Sequence, residues 1–143
     1  MRMKKLQLFF TNRPEILAAY LFGSQTKGTA TRKSDIDIAL LIDEKKMKPK
    51  AGMEIDYSML IEEHTGLKNV DVKILNLSPL YFQYEVLKNS TLIFCRDEIR
   101  RIRYEAHLTV DYLDYKPYLD YFDRRMHEHI KEGTYGPGLS VRK

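Results

Sequence analysis

Asp35 and Asp37 stand two residues apart at the opening of an apolar run, Ile36-Asp-Ile-Ala-Leu-Leu-Ile42. Side chains alternate between the faces of a β-strand, so the two carboxylates share one side while Ile36 and Ile38 point into a core. Two acids held together at the mouth of a sheet repel unless a cation lies between them. Carboxylate oxygens completed by substrate phosphates are the ligand pattern of Mg2+. Upstream, another apolar run ends abruptly in Gly23-Ser24. Gly23 permits a positive φ and close backbone approach to a ligand. Ser24 adds a hydroxyl and an N–H at the same corner, and a helix starting there would offer free N–H groups to a phosphate. A lone Asp-x-Asp is commonly a strand opening with two solvated acids; the glycine–serine corner at this spacing argues for a nucleotide and metal site instead.

The elements that must position these groups follow from pattern. Pro14 to Ala18 predicts a short helix capped by Asn12 or Thr11, and Leu17 to Phe22 the first strand. Ser24 to Lys27 reads as a turn or short helix closed by Gly28, and Ile36 to Ile42 as the second strand. Arg32 and Lys33, just before the aspartates, suit a solvated turn or a phosphate contact equally. Asp43 to Ala51, Lys-rich and holding Pro49, predicts a flexible loop. Met53, Ile55, Met59, Leu60 and Ile61 recur at helical spacing, with Glu62, Glu63 and His64 on the polar side and Gly66 past the helix end. Val70 to Leu75 predicts a third strand, with Val70, Val72 and Ile74 on one face and Asp71 and Lys73 on the other. Ser78 and Pro79 read as the cap and first position of a helix that ends at Asn89, and Thr91 to Cys95 as a fourth strand.

From Asp97 a long helix is expected. Ile99, Ile102, Ala106, Val110 and Leu113 form one seam at spacings of three and four, and Phe122, Met126 and Ile130 continue it beyond Pro117, which should break or kink the helix. Tyr104, Leu108, Tyr112 and Tyr115 form a second face, flanked by Arg100, Arg101 and Arg103. A small sheet can cover only one face. The expectation is that the Ile99–Leu113 seam is buried and the tyrosine face meets a partner. His127 and His129 point in different directions, which argues against a zinc site.

Composition sets the outer bounds. The 143 residues suit one core, and 43% hydrophobic with 31% charged residues is ordinary for a globular chain. A net charge of +4 allows phosphate-bearing ligands without arguing for nucleic acid. No apolar run has the length of a membrane span, and Leu6-Gln-Leu-Phe-Phe10 is too short for a signal segment. The single cysteine, Cys95, excludes an internal disulfide, suits a buried thiol and fits the cytoplasm.

The arrangement G-S-x10-D-x-D resembles the signature of the nucleotidyltransferase superfamily that includes DNA polymerase β. The short chain, with L-F-G-S-Q-T-K-G, S-D-I-D-I-A-L-L, V-D-V-K-I-L-N and the helical R-D-E-I-R-R-I-R-Y-E, resembles the minimal nucleotidyltransferases, MntA-like antitoxins of HEPN/MNT toxin–antitoxin pairs. The resemblance implies an α/β (α+β) nucleotidyltransferase fold, a small mixed sheet packed with helices plus a long kinked C-terminal helix. It divides the chain into a core (1–96), a helical segment (97–132) and a flexible tail (133–143). It implies that Asp35, Asp37 and Asp71 are catalytic and hold one or two Mg2+ ions, and that Gly23 and Ser24 grip the phosphates of ATP. One carboxylate, Asp71 first among them, would accept the acceptor hydroxyl's proton, directly or through the metal. AMP would pass to a tyrosine of a HEPN ribonuclease and silence it, with no membrane and no direct nucleic-acid partner. Transfer to a small molecule such as an aminoglycoside, and a non-catalytic binding antitoxin, are the alternatives.

Overall fold

The structure, a computed structural model, describes residues 2–23 and 35–132; Ser24, Arg32, Lys33 and the tail from Gly133 lie outside the described residues. The element order is α1 (Met3–Thr11), β1 (Ile16–Phe22), β2 (Ile36–Ile42), α2 (Met53–Thr65), β3 (Val70–Ile74), a short 3-10 turn, α3 (Leu80–Asn89), β4 (Thr91–Cys95) and α4 (Glu98–Glu132). The strands form one mixed sheet in the order β3-β2-β1-β4. β1 is antiparallel to both neighbours, and β2 and β3 are parallel.

Strand alternation divides the core in two. Ile36, Ile38, Leu40, Val70, Val72 and Ile74 face α1 and α2, where they meet Leu6, Phe9, Phe10, Tyr57 and Ile61. Leu17, Ala18, Tyr20, Ala39 and Leu41 face the other way, onto Val86 and Phe82 of α3 and Tyr104 of α4. β1 and β2 carry apolar residues on both faces because both are covered.

Two N-terminal expectations change. No helix forms over Pro14–Ala18: strand β1 already begins at Ile16, and the helix lies earlier, at Met3–Thr11. Leu6, Phe9 and Phe10 supply its buried stripe at spacings of three and four. Arg96 ties its end to the sheet, donating from Nη2 to the carbonyls of Phe10, Thr11 and Arg13 and from Nε to that of Ile16. Nor does Ser78 cap α3; its Oγ donates back to the Ile74 carbonyl.

α2 ends at Gly66 in the left-handed conformation, as expected. Its buried residues are Tyr57, Ile61 and Thr65, whereas Ile55 and Met59 are exposed. A polar stripe of α2 runs along the edge strand. The N–H groups of Val70, Val72 and Ile74 donate to Glu62 Oε2, Ser58 Oγ and Glu54 Oε2 at 3.0, 3.0 and 2.7 Å. Unpaired edge amides would otherwise be a template for another strand.

Asp43 is no member of a loose loop. Its side chain is 5% exposed and takes both guanidinium arms of Arg100, at 2.6 and 2.9 Å. The pair ties the end of β2 to the first turn of α4, which Asp97 caps by accepting the N–H of Arg100.

α4 runs 35 residues, about 52 Å at helical rise, and continues through Pro117 without a break. Its buried face is the reverse of the expected one. Leu108 is buried, Tyr104 joins the core and Tyr112 stacks on Tyr84 at 4.0 Å, while Ile99, Ile102, Val110 and Leu113 lie more than half exposed. Polar handles decided it. Tyr104 Oη donates to Gln83 Oε1, and Glu105 Oε2 accepts from both Tyr20 Oη and Arg101 Nη1. The face with ring hydroxyls finds partners when buried, and the aliphatic seam is left outside.

Candidate active site

One end of the sheet gathers the predicted residues. β1 leaves it at Phe22, and β2, β3 and β4 all start there. Gly23 follows with φ +81, and a Cβ placed on it would strike the Asp37 carboxylate oxygen Oδ2. Glycine is therefore required twice, for its backbone conformation and for the closeness of Asp37.

Asp37 and Asp71 are partners in the parallel register of β2 and β3, so their side chains leave the same face side by side. The face is that of α3 and α4, opposite to Ile36, Ile38, Val70 and Val72. Asn69, in the left-handed region at φ 59, turns the chain into β3, and its carbonyl accepts the Ile36 N–H at 2.8 Å. The bond fixes the mouth of the two strands, and asparagine tolerates that φ better than most residues.

The Asp37 carboxyl is raised above the ordinary aspartate range, first by burial, then by the charges of Asp71 and Asp35, with Lys73 opposing. Lys73, on the Asp71 face, places Nζ 4.0 Å from Asp71 Oδ1. Sequence reasoning noticed Lys73 only as the neighbour on that face.

Among the described residues no three acids, histidines or cysteines are gathered closely enough to hold a metal ion as they stand. The expected convergence of Asp35, Asp37 and Asp71 on one point is thus not preformed; Asp71 leans toward Lys73. The donor chemistry still suits a hard divalent cation: carboxylate oxygens only, with one acid destabilised by the two beside it. Ser24 lies outside the described residues.

A hollow of about 170 Å³ adjoins the corner, lined by Phe22 at the end of β1, by Gly23 after it, and by Phe82, Glu85, Val86 and Asn89 from α3. The sequence reading used Asn89 only as a helix end. Phe82, Glu85, Val86 and Asn89 share one face at helical spacing, a signal that was there to be read.

Comparison with known proteins agrees with this geometry. A candidate protein adenylyltransferase of Methanocaldococcus jannaschii is 32% identical over 80 residues, 56% of this chain; the match spans 57% of that relative's length. A chain from the crystal structure of a toxin–antitoxin with AMP-PNP superposes with a TM-score of 0.68 at 19% identity, covering 92% of this chain and 99% of its own length. A chain from the tri-AMPylated Shewanella oneidensis HEPN toxin in complex with MNT antitoxin gives 0.61 at 18% identity, covering 86% and 93%. One from MntA–HepT gives 0.61 at 16%, covering 90% and 94%. At these identities the likeness is one of fold. The family model for polymerase β nucleotidyltransferases matches residues 4–99, the stretch that holds Gly23, Asp35, Asp37 and Asp71, and the chain belongs to that nucleotidyltransferase family.

Proposed function

We propose that this protein transfers AMP from ATP to a tyrosine hydroxyl of a cognate HEPN-family ribonuclease toxin and thereby neutralises it. The observation that carries the reading is the register pair Asp37–Asp71 beside Gly23, at the mouth of a family fold. The choice of AMP and of a protein acceptor draws support from relatives: one bears the name of a protein adenylyltransferase, and fold neighbours come from toxin–antitoxin complexes, one with AMP-PNP and one with a tri-AMPylated toxin.

In the reaction the tyrosine oxygen bonds to the α-phosphorus of ATP. The bond from that phosphorus to the oxygen bridging to the β-phosphate breaks, and pyrophosphate leaves. Asp71, whose side chain is about half exposed, takes the phenolic proton and passes it to solvent. Gly23 and Ser24 grip the β- and γ-phosphates. Asp35, Asp37 and Asp71 would hold Mg2+, which supplies the positive charge that phosphoryl transfer requires. The toxin docks on the exposed Ile99–Ile102–Val110–Leu113 seam of α4, a face that folding leaves uncovered.

The test is the intact mass of a HEPN partner co-expressed with this chain. Addition of AMP units, lost with Asp37→Asn, is expected; a neutralised toxin of unchanged mass would sink the enzymatic reading and leave a binding antitoxin.

A further inference from the structure

We propose that a hollow at the far end of the sheet is a second ligand site, built for a short apolar peptide that enters with its free ammonium first. The inference goes beyond the nucleotidyltransferase reading and uses none of the residues that carry it.

The hollow, of about 370 Å³, lies between the start of β1, the connection from β2 to α2, and α2 itself. Ile16 and Ile42 are partners at this end of the strands, whereas Phe22 and Asp37 are partners at the other. Strand β1, 7 residues long, separates the two ends by roughly 20 Å. A nucleotide at the carboxylates therefore leaves the hollow open. Its volume is at the lower end of the ~300–1,000 Å³ usual for small-molecule sites.

The floor is a buried acid. Glu15 is 7% exposed, and the sheet pins its backbone, the carbonyl accepting the Asp43 N–H at 2.8 Å. Its Oε2 accepts from Tyr57 Oη at 2.7 Å. Burial, then the bond to Glu15, push the Tyr57 phenol up, so it remains a donor. Glu15 Oε1 has no hydrogen-bond partner among the described residues. Nor does any cation there stand within ion-pair distance of the carboxyl, although Arg13, Lys48 and Lys50 line the same hollow. An acid taken out of water is best met by a charge-assisted donor. The donor this one lacks is one a ligand can bring, an ammonium.

Walls and rim define the rest of the ligand. Met47, Met53 and Leu60 form the walls, and thioethers adapt to irregular apolar bodies. Met47 Sδ stands 3.9 Å from Tyr57 Oη, so the apolar wall begins at the acid. At the rim, Arg13, Lys48 and Lys50 outnumber Asp56 three to one, which favours an anionic outer end. Ammonium inward, apolar middle and carboxylate outward describe an apolar dipeptide. A single amino acid carries both charges on one carbon and cannot place them at opposite ends.

The experiment is calorimetric titration of the full-length chain with leucyl-leucine, with its N-acetyl form, which lacks the ammonium, and with its amide, which lacks the carboxylate. The native chain should bind the free dipeptide at least about tenfold more tightly than the acetylated one, the worth of one charge-assisted hydrogen bond, and more tightly than the amide. Glu15→Gln keeps the shape and the bond from Tyr57, and should abolish the preference for the ammonium. Lys48→Gln with Lys50→Gln should narrow the preference for the carboxylate. Met47→Trp, at a position 39% exposed, should fill the hollow and block all three ligands with the acid intact. ATP with Mg2+ should not compete. Circular dichroism confirms that each variant is folded. Equal binding of the free and acetylated dipeptides by the native chain overturns the proposal, as does a preference that survives Glu15→Gln. Undiminished binding by Met47→Trp, displacement by ATP, or binding of none of the three also overturns it. Tighter binding by the double lysine variant would make the lysines the partners of the acid and overturn it too. None of these outcomes touches the nucleotidyltransferase reading.

Discussion

Gly23 and the carboxylate of Asp37 are so close that no side chain fits between them. The turn that should receive phosphate and the acid that should receive metal are therefore one packed unit. Gly23→Ala forces a methyl group onto Asp37 Oδ2 at a left-handed φ. It should lower stability by about 1–2 kcal/mol and remove the rise in Tm that ATP with Mg2+ gives the native chain. Denaturant melts with and without nucleotide check both; an undiminished nucleotide shift would show that the phosphates bind elsewhere.

Asp37 should oppose folding when no cation is present. A carboxyl whose range is raised in the folded chain favours the protonated form. Stability is then lost as pH rises from the ordinary aspartate value through the raised one, and the penalty is complete above that raised value. Asp37→Asn should therefore raise Tm at pH 7 in chelator, and the gain should vanish as pH falls below the ordinary aspartate range. The same variant should bind a HEPN toxin but leave its mass unchanged. A melting point that falls at pH 7 would contradict the account of repulsion by Asp71 and Asp35.

Asp43 gives the opposite sign. The two bonds from Arg100 hold its carboxyl down at about 2. Its contribution to stability is complete above the ordinary aspartate value, about 3.9, and is lost as pH falls from there toward 2. Asp43→Asn should cost about 2 kcal/mol at pH 7 and flatten the acid limb between about pH 4 and 2. An acid limb of unchanged slope would remove Asp43 from it.

The two faces of α4 should separate folding from docking. Ile102→Glu with Val110→Glu alters exposed positions and should leave stability within about 0.5 kcal/mol of native. The same pair should weaken toxin binding by more than about 1 kcal/mol per residue. Leu108→Ala cuts a buried side chain and should cost about 2–5 kcal/mol of stability. Full toxin affinity in the double glutamate variant would clear the seam of a docking role.

Much of the carboxylate mouth was legible because its signals are local. Asp35, Asp37 and Asp71 sit in short runs of period two, and the strands at 36–42 and 91–95 carry the bounds read from them. The face of α4 was not legible, since Ile99–Leu113 and Tyr104–Tyr112 have the same spacing. Only the positions of Gln83 and Tyr20, distant in sequence, decide between them. Asp43 was read into a flexible loop for a similar reason: its partner Arg100 lies 57 residues on. Helix α1 was missed because Leu6 to Phe10 was weighed only for the length of its apolar run, not for the spacing of Leu6, Phe9 and Phe10.

The polar stripe of α2 acts on β3 as a gauge. Four residues of helix advance about 6.0 Å, and two residues of strand about 6.6 Å. Glu54, Ser58 and Glu62 can thus match Ile74, Val72 and Val70 over three notches with little accumulated error. A slip of one residue would misalign every notch and turn Asp71 to the far face. Ser58→Ala removes the middle notch and should speed hydrogen exchange at the Val72 amide selectively. An extra residue between Gly66 and Asn69 should bulge outward as slack in the connection, leaving Asp71 where the gauge sets it, opposite Asp37.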